Sequence, residues 1–274
     1  MPRFLVPIDF SAVSVNAALY AVQMAEQMPK KEVILFNVTE EIHAGVDGTP
    51  MDFNADALVA SNLAALENLQ VNLFEMGMSP MEVVAEIGEL PEKLRPAIKK
   101  YNVDMVVMGI TGTSSYDDNF MGKNALDISR ENTCPVMIVP PDAMFKGSGK
   151  IAIAVEYKDV DTTVTLKPIK KWLDVLQPEI HFIYVAPSTN YNLTDQQVVE
   201  QTKLKAIFQE YNPIFSQVSN GKFSDAVNSY IDENDIDQII VFPKKHSLFE
   251  NLFSSDHTKK LAYHSHVPVI SVHD

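Results

Sequence analysis

The chain reads as an α/β protein made of two tandem, doubly wound, five-stranded parallel sheets. Three observations lead to that expectation. Short apolar runs alternate with helix-length amphipathic stretches along the whole of the 274 residues. Such alternation calls for parallel strands joined by crossover helices, which cover both faces of a sheet. The order of elements then occurs a second time, and constant sequence offsets relate the two occurrences.

In the first copy FLVPI (4–8) is a strand, and VSVNAALYAVQMAEQM (13–28) carries apolar residues at helical spacing. EVILFNV (32–38) is the second strand, followed by the long helix ADALVASNLAALENLQVNLFEMG (55–77), which Gly77 stops. MEVVAEI (81–87) is a strand, LPEKLRPAIKKYN (90–102) a helix, and MVVMGI (105–110) and PVMIVP (135–140) are strands. In the second copy IAIAV (151–155) repeats FLVPI and IHFIYV (180–185) repeats VILFNV, both at an offset of 147 (151 − 4 and 180 − 33). Gly221 then repeats Gly88, DQIIVF (237–242) repeats DMVVMG (104–109), and VPVISV (267–272) repeats CPVMIV (134–139), all at an offset of 133. The 14 lost positions fall between the second and third strands, where the first copy carries HAGVDGTPMDFNAD (43–56). A tandem duplication explains this, with domains at 1–143 and 149–274 joined near PPDAMFKGSGK (140–150). In such a doubly wound sheet the ligand site lies beyond the strand C-termini, so the tips after the first, second and fourth strands should meet.

Composition narrows the partners. With 46% hydrophobic and 21% charged residues the chain is ordinary globular protein. A formal charge of −14 argues against non-specific binding to nucleic acid or an anionic membrane surface. No run approaches the ~18 apolar residues of a membrane span. The single Cys134 excludes an intramolecular disulfide, and the start MPRFLVPIDFS lacks a secretory apolar region, so a cytoplasmic location is expected.

The chemistry concentrates in GITGTSSYDDNFMGKN (109–124), a glycine-containing polar loop directly after an apolar strand. Glycines there let backbone N–H groups approach an anion, and a following helix N-terminus favours negative charge. The spacing Gly109-x2-Gly112-x9-Gly122 resembles the ATP-binding signature of universal stress proteins, G-x2-G-x9-G-[ST]. LVPIDFS (5–11), EIGELPEKLRPAIKKYNVDMVVMGITG (86–112) and CPVMIVP (134–140) are similar to that family's first strand and acidic turn, its third strand to fourth strand, and its closing strand. The resemblance covers the whole chain as two copies. It implies a Rossmann-like fold of the adenine nucleotide alpha hydrolase kind, whose closing strands pair to form an intramolecular pseudo-dimer, with further dimerisation open.

That resemblance implies a site for ATP or AMP, with or without Mg²⁺, in the first copy. Asp9 would lie by the ribose and phosphates, and the main chain of Val38 would meet the adenine. Gly109, Gly112 and Gly122 would form the phosphate loop, with Lys123 and Asn124 ending the signature. Lys123 departs from the pattern, because Ser or Thr is expected there. It either adds a point charge to phosphate binding or faces solvent at a helix start. A cation there disfavours the helix by ~0.3–1 kcal/mol, which a bound anion, Asp118 or Asp127 would relieve. Asp117 and Asp118 read as solvated loop-tip residues, and Asp9 equally suits a turn cap.

The second copy lacks the signature: Phe242, Lys245 and Ser255 stand where Gly109, Gly112 and Gly122 are, and Glu156 replaces Asp9. It reads as structural, or as binding something else through Lys244, Lys245, His246, Phe249 and Phe253. Phe249 and Phe253, four apart, would share one helix face. His246, His257, His264, His266 and His273 cluster near the end of the chain, where structural roles outweigh a metal site. No G-x-S-x-G, H-E-x-x-H or G-x4-G-K-[ST] pattern occurs, and Cys134 reads as a core residue. The expected function is a stress-response sensor or regulator binding an adenine nucleotide, with at most slow ATP hydrolysis. The rival is a scaffold that acts through protein partners without nucleotide.

Overall fold

A computed structural model of the chain describes residues 2–28, 32–40, 54–75, 81–110, 128, 134–219, 223–242 and 266–272. The first half contains β1 (Arg3–Pro7), α1 (Ala12–Glu26), β2 (Glu32–Thr39), α2 (Ala55–Glu75), β3 (Met81–Ile87), α3 (Leu90–Tyr101), β4 (Met105–Gly109) and β5 (Val136–Val139). The second half opens with β6 (Lys150–Ala154), the single turn α4 (Val160–Thr163), α5 (Lys167–Leu176) and β7 (Glu179–Val185). It continues through α6 (Asp195–Ile207), β8 (Ile214–Val218), α7 (Phe223–Asn234), β9 (Gln238–Val241) and β10 (Val269–Ser271).

The two expected sheets are continuous. Their strands form one ten-stranded sheet in the order β3-β2-β1-β4-β5-β10-β9-β6-β7-β8. Every neighbouring pair is parallel except β5 and β10, which run antiparallel with Met137 opposite Ile270. Adding the offset of 133 to Val136, Met137 and Ile138 gives Val269, Ile270 and Ser271, so Met137 pairs with its own repeat. Pairing removes two apolar edges that would otherwise invite aggregation.

Within central strands such as β1, β4 and β5 both parities are apolar because both faces are covered. Phe4, Val6, Val33, Leu35 and Val107 pack on the α1 face, while Leu5, Ile34, Phe36, Val106 and Met108 pack with Leu94, Ala97 and Ile98 of α3. Helix ends follow local chemistry. Ser11 caps α1 by accepting from Ser14 N, and Asn102, in the left-handed region at φ 49°, ends α3. Thr194 and Gln197 form a reciprocal capping box on α6.

The helix expected from residue 55 begins there: Ala55 and Asp56 open α2, although they also fall within the 43–56 segment that the first copy has in excess. That helix has 21 residues against 13 in α6, so eight of the 14 lost positions are helical. A helix can be shortened by whole turns without disturbing the strands it connects.

Polar contacts also cross between the halves. Gln238 in β9 is fully buried, and its Nε2 lies 3.1 Å from Tyr20 Oη of α1 and 3.1 Å from Ser148 Oγ. Lys171 of α5 places Nζ 2.8 Å from each oxygen of Asp104, which precedes β4. Asn16 of α1 donates through Nδ2 to the carbonyls of Pro140, Pro141 and Ala143, tying α1 to the segment that leads into the second half.

Candidate nucleotide site

The strand order reverses between β1 and β4, and the predicted site residues that are described stand at the C-terminal ends of β1, β2 and β4. Asp9 follows β1, Val38 lies near the end of β2, and Gly109 ends β4. Gly112, Gly122, Lys123 and Asn124 lie outside the described residues, as do Asp117, Asp118 and Asp127.

Asp9 is exposed and shapes the turn that begins α1. Its Oδ1 accepts from Ser11 N at 3.0 Å and from Ser11 Oγ at 2.6 Å. One of its carboxylate oxygens therefore holds the turn. Phe10 between them has φ 63°, in the left-handed region, where a bulky side chain costs of order 1–3 kcal/mol.

Val38 presents its main chain beyond the end of β1. Ile8 N donates to Phe36 O at 2.8 Å, and carbonyls alternate along a strand, so Val38 O points to the same side as Phe36 O. The β1–β2 register ends at Pro7 opposite Phe36, so Val38 extends past β1 towards the cleft. A polar chain fixes this tip. Buried Asn37 donates to Ile8 O at 2.8 Å, Thr39 Oγ1 donates to Asn37 Oδ1 at 3.1 Å, and Asn62 of α2 donates to Thr39 Oγ1 at 2.8 Å. Sequence reasoning passed over these residues; the available signal was an asparagine inside the apolar run EVILFNV.

Gly109 has a packing reason independent of any phosphate. A Cβ there would lie 2.4 Å from Val13 O and 2.7 Å from Val13 C, both backbone atoms of the first turn of α1. Only glycine lets β4 approach α1 this closely. Gly109 therefore brings the end of β4 beside the start of α1, which is what a site between them needs.

The second half fills the same position with its own side chains. Phe242, the counterpart of Gly109, is buried, and Tyr184 stands where Asn37 does. Tyr157 stacks on Tyr184 with centroids 4.8 Å apart. Gln201 and Gln197, one turn apart on α6, donate to Tyr157 Oη and Tyr184 Oη at 2.9 Å each. Burial raises both phenols above the ordinary tyrosine range. Beside them Glu200 accepts from Lys203 Nζ at 2.8 Å and from Val160 N at 2.7 Å, and these two donors hold its carboxyl below the usual range. Glu156 follows β6 as Asp9 follows β1.

Two other expectations concern reactivity. Burial pushes the Cys134 thiol up to about 12, which removes it as a nucleophile. Of the clustered histidines only His266 lies among the described residues, which contain no group of three or more potential metal ligands. Lys244, Lys245, His246, Phe249 and Phe253 lie outside them. No helix among the described residues is long and apolar enough to cross a membrane.

Comparison with known proteins matches residues 1–140 to the model of the universal stress protein family. Universal stress protein YxiE of Bacillus subtilis (strain 168) is 28% identical over 145 residues, covering 50% of this chain and 97% of that protein. A universal stress protein from Archaeoglobus fulgidus DSM 4304 has a TM-score of 0.71 at 16% identity, over 98% of this chain and 94% of its own. A functionally unknown protein from Pseudomonas aeruginosa PAO1 has a TM-score of 0.60 at 12% identity, over 100% of this chain and 92% of its own. At those identities the two structures establish the shared fold across both halves.

Proposed function

Because the chain belongs to the universal stress protein family, we propose that its first half binds an adenine nucleotide, ATP or AMP, and that the protein acts as a stress sensor or regulator. The observation that carries this reading is the contrast at the strand tips. In the first half Val38 main chain extends past the end of β1, which exposed Asp9 follows; in the second half buried aromatics stand at the equivalent positions.

In this reading the adenine edge meets the main chain of Val38, which both donates and accepts. The second Asp9 oxygen faces a ribose hydroxyl or a Mg²⁺ ion carried with the phosphates. Gly109, Gly112, Gly122, Lys123 and Asn124 supply the phosphate side. In this reading the role is binding, with turnover no faster than slow hydrolysis. The domains are 1–143 and 149–274, packed as an intramolecular pseudo-dimer that works in the cytoplasm with protein partners.

The test is nucleotide content and affinity. Mass spectrometry of the supernatant from denatured protein should find AMP or ATP, and calorimetry should detect heat with ATP–Mg²⁺. Asp9→Asn should weaken that binding by about 10- to 150-fold, the ~1.5–3 kcal/mol scale of a charged hydrogen bond, while Glu156→Gln leaves it unchanged. A protein that carries no nucleotide and gives no heat is the scaffold that acts through partners alone.

A further inference from the structure

A second polar assembly lies at the other side of the second half, away from the strand tips. His181 of β7 is 4% exposed and has both ring nitrogens engaged. Nε2 is 2.7 Å from Glu179 Oε1, and Nδ1 is 2.8 Å from Tyr230 Oη of α7. Tyr230 Oη is in turn 2.8 Å from Ser216 Oγ of β8.

The proton positions follow from the carboxylate. Glu179 only accepts, which selects the imidazole tautomer with its hydrogen on Nε2 and leaves Nδ1 of that tautomer as the acceptor. Tyr230 therefore donates its phenolic proton to Nδ1, and Ser216 donates to the phenol oxygen. A buried phenol aimed at a basic nitrogen, with a carboxylate behind the ring, is arranged to lose a proton and an electron together.

We propose that Tyr230 is the site at which this protein yields an electron to a one-electron oxidant of the peroxyl-radical or high-valent metal class. The electron leaves the phenol for the oxidant, the phenolic proton passes to His181 Nδ1, and the products are a neutral tyrosyl radical and an imidazolium paired with Glu179. Ser216 keeps a hydrogen bond on the radical oxygen.

Four of the other described tyrosines are less suited. Tyr20, Tyr157 and Tyr184 lie against glutamine amides, which offer no basic nitrogen. Tyr211 donates to Asp174 at 2.5 Å, but Lys170 Nζ lies 5.5 Å over its ring and opposes loss of an electron. A carboxylate is also a weaker proton acceptor than imidazole by about two pKa units.

Oxidation of the full chain by flash-generated tris(bipyridine)ruthenium(III), followed by freeze-quench electron paramagnetic resonance, tests this. A tyrosyl signal should form that disappears in Tyr230→Phe. Its rate should fall about tenfold or more in His181→Leu, the scale of losing a positioned base. The wild-type rate should also slow in D₂O. A signal that persists unchanged in Tyr230→Phe, or a wild-type rate with no isotope effect, overturns the proposal; neither outcome depends on the His181 variant folding.

Discussion

The two halves agree at one end of the sheet and differ at the other. At the N-terminal ends of the strands the bonds between the first strand residue and the aspartate before the fourth strand repeat. Arg3 N donates to Asp104 Oδ2 at 2.8 Å and Lys150 N donates to Asp237 Oδ2 at 2.9 Å, while each aspartate N–H returns a bond to the same partner's carbonyl. Arg3 also donates to Tyr101 O, and Lys150 Nζ to Asn234 O, the position 133 later. At the C-terminal ends Asp9, Asn37 and Gly109 face Glu156, Tyr184 and Phe242. The N-terminal end repeats because its bonds hold β1 to β4 and β6 to β9.

Breaking the frame that both halves share has the largest effect. Ile270→Asp would bury an unpaired charge opposite Met137, at the centre of the β5–β10 pair, with an expected loss of ~4 kcal/mol or more in denaturant unfolding. The next test exchanges the divergent residues. Phe242→Ala should cost ~3–5 kcal/mol as a cavity, whereas Gly109→Ala should cost ~1–3 kcal/mol by overpacking against Val13. The reverse result, a tolerated Phe242→Ala and a neutral Gly109→Ala, would remove the packing account of both.

Asp104→Ala and Asp237→Ala sharpen the repeated end. Each loses equivalent charged hydrogen bonds, about 1.5–3 kcal/mol. Asp104→Ala should exceed its counterpart by no more than ~1 kcal/mol, the worth of the half-exposed ion pair with Lys171, and the excess should shrink in high salt. The smallest effect concerns Glu200, whose folded carboxyl is depressed by Lys203 and Val160 N. Its contribution is therefore full above the ordinary value of 4.5 and is lost as pH falls through the depressed value. Wild type and Glu200→Gln should differ in melting temperature at neutral pH and converge in acid.

Much of this was legible in the residues. Strands such as MVVMG fall where their apolar runs place them, because a strand covered on both faces has little choice of composition. The duplication was legible because both copies must fill the same layers. Asn37, Thr39 and Asn62 were not, since a polar residue in a strand declares its partner only when distant segments meet. The tyrosine–glutamine packing of the second half was hidden for the same reason. Gly109 was singled out correctly as a special position, yet the backbone it accommodates belongs to α1, nearly a hundred residues earlier.

The sequence by itself determined the α/β class, the repeat and its offsets, and the loss of the glycines from the second copy, since periodicity and residue identity are local properties. Only the tertiary structure decided that the two sheets join through β5 and β10 in a register centred on Met137 and Ile270, that Asp9 spends one carboxylate oxygen on its own turn, and that Tyr230 meets His181. Those facts depend on pairing between remote segments, where distance and direction set the energy and composition does not.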